Sequence, residues 1–266
     1  MNNFNEQLIL DKIKMNPFII EKIDDQTEEL CLAAIKADPT VFKLIKDKNR
    51  THNVCLAAVK GDGLSLKLIK QQTEELCLAA VENDGYALKY VNDQNERICL
   101  AAVKNIGSAL EYVKCQTYNI CLAAVKREGW SIVYVRDQLE DICVEAVKEN
   151  PEYLKYVKNQ TENVCLAAIR ESGSALEYVR KQTPLICKAA FENNEFYFKY
   201  VKPSKRNYAA ILECIFNLKY KNRDILNKII KEFPNSKHIT NLYTKYGLWK
   251  YVDDFNDKTI KHALIR

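Results

Sequence analysis

An all-α solenoid of about nine 22-residue helical hairpins, closed by a helical C-terminal cap, is the fold this sequence predicts. Three observations predict it. Cys55, Cys77, Cys99, Cys121, Cys143, Cys165 and Cys187 recur with one constant period, and Cys31 precedes the first of them by two positions more than that period. Gly and Pro number only seven and six in 266 residues, far below average usage and too few for the turns of a sandwich or barrel. Apolar residues recur at helical spacing within each repeat, and a hairpin this short cannot bury its apolar face alone, whereas stacked copies share a continuous core.

The repeat boundaries follow from the cysteines. Stepping back one period from Cys31 reaches Ile9 in a degenerate copy, and the insertion before Cys55 falls at Asn49 and Arg50. The repeats are 5–26, 27–50, 51–72, 73–94, 95–116, 117–138, 139–160, 161–182 and 183–204, with the cysteine at position 5. Position 1 is Asn5, Thr27, Thr51, Thr73, Asn95, Thr117, Leu139, Thr161 and Thr183. All but Leu139 carry a side-chain oxygen able to cap a helix N-terminus. Position 12 is Asn16, Asp38, Asp62, Asp84, Ile106, Glu128, Asn150, Ser172 and Asn194, again mostly capping residues. Each repeat thus has two helix starts: helix A over positions 2–11 and helix B over positions 13–21.

Position 13 holds Pro17, Pro39 and Pro151 as well as Gly63, Gly85, Gly107, Gly129 and Gly173. Proline suits a first helical residue because its ring already holds φ at a helical value. Glycine sharing that site points to close approach of a neighbour, with no room for a side chain, rather than to a positive φ. Apolar residues at positions 4, 5, 8 and 9 of helix A, and at 15 or 16 with 18 and 19 of helix B, give the two buried faces. Helices of two or three turns are marginal alone, so tertiary packing must hold them. Residues 205–266 lack the repeat and read as helices over 207–219 and 224–233, with shorter ones around Leu242 and Trp249. The domain division is therefore a repeat array over 1–204 and a helical cap over 205–266. The degenerate first repeat covers the other end.

The N-terminus lacks a basic stretch followed by an apolar one, and no apolar run reaches the ~18–20 residues of a membrane span. A cytoplasmic, reducing location is expected, with no membrane partner. The Asn-x-Thr triplets at Asn49 and Asn159 are then chance.

The stretch Leu78-Ala79-Ala80-Val81, followed by Asp84-Gly85-Tyr86-Ala87-Leu88-Lys89-Tyr90-Val91, resembles a known repeat. It is similar to the short helical repeats of the domain of unknown function 4116 type, abundant in giant amoeba-infecting DNA viruses. The likeness covers repeats two to nine. It implies a viral interaction-type repeat protein acting within the host cell, and supplies no catalytic residue.

Candidate chemistry is sparse. Stacked equivalents should lie ~9–10 Å apart, beyond the ~7 Å Cα separation a disulfide allows, and no Cys-x-x-Cys zinc spacing exists. The cysteine row reads as small buried hydrophobes, with Cys115 off-register and exposed and Cys214 also off-register. A thiol-based metal or redox role is the weaker alternative. Tyr90, Tyr112, Tyr134, Tyr156, Tyr178 and Tyr200 share position 18, where Leu44 and Leu68 stand earlier. That exchange points to packing rather than to a base-stacking platform. Basic residues recur at positions 10 and 20 and Glu at position 2, the signs that complement helix dipoles. His52, His238 and His262 lie in separate segments, and Gly61-Asp62-Gly63 is no phosphate loop. No catalytic residue, cofactor or metal is expected.

The net charge of +5 is unevenly spread. Residues 205–266 hold 13 basic and six acidic side chains, a net +7, whereas 1–204 carries −2. Nucleic-acid binding, the alternative function, would therefore rest on the C-terminal segment, where Lys219, Lys221, Arg223, Lys228 and Lys231 also suit an acidic partner. The favoured expectation is a non-catalytic scaffold for a protein partner. Position 14 varies through Leu64, Tyr86, Ser108, Trp130, Glu152, Ser174 and Phe196, so its bulky members, Tyr86, Trp130 and Phe196, are the candidate anchors.

Overall fold

The computed structural model describes residues 3–217, 221–233 and 236–252, and it is an all-α repeat solenoid. Lys219 and His262 lie outside the described residues. Helix A of the nine repeats forms Asn3–Met15, Glu28–Ala37, His52–Gly61, Glu74–Asn83, Glu96–Asn105, Tyr118–Arg127, Glu140–Glu149, Glu162–Glu171 and Pro184–Asn193 (α1–α9). Among the described residues three further α-helices follow, Lys205–Asn217, Arg223–Glu232 and Lys237–Lys245 (α10–α12), with a short 3-10 turn at Trp249–Tyr251. The chain divides into two compact bodies, residues 1–137 and 138–266. Within each, every repeat packs against the next, as expected of an array whose members touch only their neighbours.

Helix B differs from expectation. It is a six-residue 3-10 helix over positions 13–18, as in Gly85–Tyr90 and Gly107–Tyr112, not an α-helix reaching position 21. Position 19 turns extended, with φ −74° and ψ 119° at Val91, and drops its side chain into the core. The cause is competition for the backbone. The carbonyl of position 18 and the N–H of position 20 are bound by a glutamine from the preceding repeat, so they leave the helical ladder.

That glutamine sits at position 22. Gln94 Nε2 donates to the carbonyls of Leu88 (3.3 Å) and Tyr112 (2.9 Å), and its Oε1 accepts from the N–H of Lys114 (2.9 Å). Gln26, Gln72, Gln116, Gln138, Gln160 and Gln182 bind the next repeat in the same way. The cysteine of the next repeat completes the network, its thiol donating to the glutamine oxygen at 3.7 Å for Cys77, Cys99, Cys121 and Cys187. Arg50 stands in for the missing glutamine before repeat three. Its guanidinium reaches Ile45 O (3.0 Å) and Leu68 O (3.2 Å).

Caps form as the sequence indicates, with instructive exceptions. Thr27, Thr51, Thr73, Asn95, Thr117, Thr161 and Thr183 each accept from the N–H three positions on. Asn5 instead lies inside α1, which already begins at Asn3. At Leu139 the carboxylate of Asp141 takes the N–H of Ile142 (2.9 Å). At position 12, Asn16, Asp38, Asp62, Asp84, Asn150, Ser172 and Asn194 cap the 3-10 helices. Ile106 cannot, and Glu128 of the next repeat reaches back to bind the Ser108 N–H at 3.0 Å.

The core consists of positions 4, 5, 8 and 9 of helix A with positions 16 and 19 of the 3-10 segment. Position 18 is only half-buried rather than part of that core. Position 13 is a close approach, as expected: a Cβ on Gly85 would lie 2.7 Å from the Ala102 carbonyl oxygen, and one on Gly107 equally close to that of Ala124.

Candidate protein-interaction surfaces

The conspicuous side chains of the array serve the array itself. All ten cysteines are free, and Cys115 alone is exposed. Burial pushes the buried repeat thiols up, to about 11 for Cys31, Cys143 and Cys165 and to about 12 for Cys187. They are held away from the thiolate form that metal binding and redox chemistry require. Among the described residues, no cluster of three or more His, Cys, Asp or Glu is placed to hold a metal ion.

The basic residues at position 20 lie beyond the 3-10 helix rather than in its last turn. They bind carbonyls of the preceding repeat: Arg136 reaches Lys114 O (2.8 Å) and Val113 O (2.9 Å), and Arg180 reaches Lys158 O and Val157 O (both 2.8 Å). Lys46, Lys114 and Lys202 do likewise. These five side chains are therefore committed to inter-repeat bonding. The lysines at position 10 occupy the last turn of helix A and are exposed, in keeping with the helix dipole.

Position 14 supplies several of the exposed large apolar side chains, with Leu8, Met15, Tyr118, Leu139, Leu185 and Phe216 exposed elsewhere. Where position 12 carries a capping oxygen it binds the position-14 N–H, as Asp84 binds Tyr86 N (2.9 Å) and Asn194 binds Phe196 N (2.9 Å); Glu128 makes no such bond in the repeat of Trp130. Tyr86 is 41 %, Trp130 39 % and Phe196 64 % exposed. Phe18, at the same position of the degenerate repeat, is exposed as well, and the 22-residue register identifies it. Beside position 14 run the half-buried tyrosines of position 18. Tyr86 meets Tyr112 edge to face at 6.1 Å, and Lys89 Nζ lies 5.7 Å from the same ring.

Tyr86 and Trp130 belong to the first compact body and Phe196 to the second. In the second, Phe196 and Lys228 converge. They line one groove of about 410 Å³ with Phe198, Lys199 and Ile225, and with Glu195, Asn222 and Asp224 at its edge. Lys221 stays apart from the groove. It closes the end of α10, donating to the carbonyls of Ile215 (2.8 Å) and Phe216 (2.6 Å). Arg223 opens α11. A wider groove in the first body, about 780 Å³, runs between α4 and α5 over Leu78, Leu100 and Ala101, with Glu82, Glu96, Arg97 and Lys104 around it.

No family model matches the chain, and no curated protein or solved structure matches it either. No helix among the described residues is long and apolar enough to cross a membrane.

Proposed function

We propose that this chain is a non-catalytic scaffold that binds another protein through the bulky residues at position 14, acting in the cytoplasm. One observation carries the reading: much of the recurring polar chemistry of the array is used between repeats, while Tyr86, Trp130 and Phe196 stay exposed at the same position of their repeats. Aromatic anchors on a rigid backbone bind at low entropic cost, and such residues dominate interface energetics. The likeness to giant-virus helical repeats supports an interaction role in a host cell. Nucleic-acid binding by the C-terminal segment is the second reading, favoured by its net charge of +7. It requires steep salt dependence and loss of binding when that segment is removed.

The test is affinity capture from a native lysate with the full chain as bait. Wild type should retain a defined protein that the Trp130→Ala chain loses, with both baits melting at the same temperature. A partner held equally by both moves recognition away from Trp130.

A further inference from the structure

The groove where the last repeat meets the C-terminal helices has an uncommon electrostatic arrangement. Its floor is apolar: Phe198 is 5 % and Ile225 7 % exposed, with Phe196 standing above them. Two ammonium groups rest on its rings, Lys199 Nζ 4.0 Å from the Phe196 centroid and Lys228 Nζ 5.3 Å from that of Phe198. Neither lysine has a carboxylate partner among the described residues. Yet two carboxylates line the same groove. Glu195 accepts from Asn222 Nδ2 instead (3.2 Å), and Asp224 sits in the first turn of α11, where helix N–H groups favour an anion. The lysines thus make no direct ion pair over an apolar floor, and Lys228 belongs to a segment whose sequence carries a net +7.

We infer that this groove binds an acidic peptide segment carrying one bulky apolar side chain. The anchor fills the space over Phe198 and Ile225, and flanking carboxylates pair with Lys199 and Lys228. The positive field of the C-terminal segment steers such a segment in and sets its orientation. Nucleic acid fits less well. Bases stack on open ring faces, whereas the faces of Phe196 and Phe198 carry ammonium groups. Glu195 and Asp224 also repel a continuous run of phosphates, while a peptide places its charges only where the lysines are. The inference rests on the protein-binding reading and names the partner chemistry at Phe196.

The probe is a short fluorescein-labelled peptide of Glu, Asp and Ser around a single central Trp, titrated into the full chain at low salt and followed by anisotropy. Saturable binding is expected, weakened about tenfold or more by Phe196→Ala, by Lys228→Glu, and by replacing the peptide's Trp with Ser. Phe196 is mostly exposed, so Phe196→Ala should melt as wild type does; Lys228→Glu tests the charge independently. Peptide binding is read on the wild-type chain independently of the Trp130→Ala capture, which separates failure here from failure of the scaffold reading at Trp130. Equal affinity for the Trp and Ser peptides reduces the contact to bulk charge and overturns the inference. So does a single-stranded oligonucleotide that binds more tightly than the peptide regardless of Phe196→Ala, and so does absence of peptide binding.

Discussion

A single cap substitution shows how closely side chains in this array depend on one another. Ile106 lacks the oxygen that other repeats use to cap the 3-10 segment, so Glu128 turns back to Ser108. Ser131 then loses the partner its counterpart has, because Ser65 donates to Asp62 in its own repeat (3.0 Å). The Ser131 hydroxyl is fully buried with no hydrogen-bond partner. A buried hydroxyl without a partner costs about 1–3 kcal/mol, and Ala already fills the position in Ala87, Ala109 and Ala175. Ser131→Ala should therefore stabilise the chain by about 1 kcal/mol in a urea titration. A destabilised variant would mean the hydroxyl has a partner after all. The thiols set a pH dependence of known sign. They ionise at about 8.5 in an unfolded chain, but only at about 11 when folded for Cys31, Cys143, Cys165 and Cys214. The contribution is intact below pH ~8.5 and is lost as the pH rises toward the folded values, because only the unfolded state releases protons in that window. Melting temperature should fall steadily from pH ~9 upward, and a flat alkaline profile would contradict this burial.

At the scale of one hairpin, the fold's positions are largely legible in the sequence and its bonding is not. Recurrence locates the cysteines, both cap rows, the helix A core and the close approach at Gly85 and Gly107. Helix B comes out shorter than expected because capping and apolar spacing locate a helix start but do not separate a 3-10 turn from an α-helix. The deciding signal is the recurring Gln at position 22, present in the sequence at the same 22-residue interval as the cysteines. A polar residue at a turn reads as solvated until the neighbouring repeat supplies the buried carbonyl and N–H it binds. Gln94→Leu should remove that bridge and leave the Tyr112 carbonyl and Lys114 N–H without it, at a cost of about 2 kcal/mol in chemical denaturation. A cost under about 0.5 kcal/mol would show that water replaces the amide freely.

For the whole molecule, the division of labour among residue types carries the functional account. Thiols, glutamines and position-20 cations such as Arg136 and Arg180 bond one repeat to the next. Position 14 is legible in the sequence as variable and bulky. That Phe196 shares a groove with Lys228 is not, since the pairing depends on how α11 packs beside the final repeat. The charge imbalance is legible as a number, and the structure attaches part of it to one particular ammonium group, Lys228 over the Phe198 ring. The most direct test of the central claim is quantitative capture on the full chain from a nuclease-treated lysate, comparing wild type with Trp130→Ala. A protein retained after nuclease treatment, and held about tenfold less by the variant at unchanged melting temperature, is the predicted result. A bound species that disappears with nuclease, or one that both chains retain equally, would contradict it.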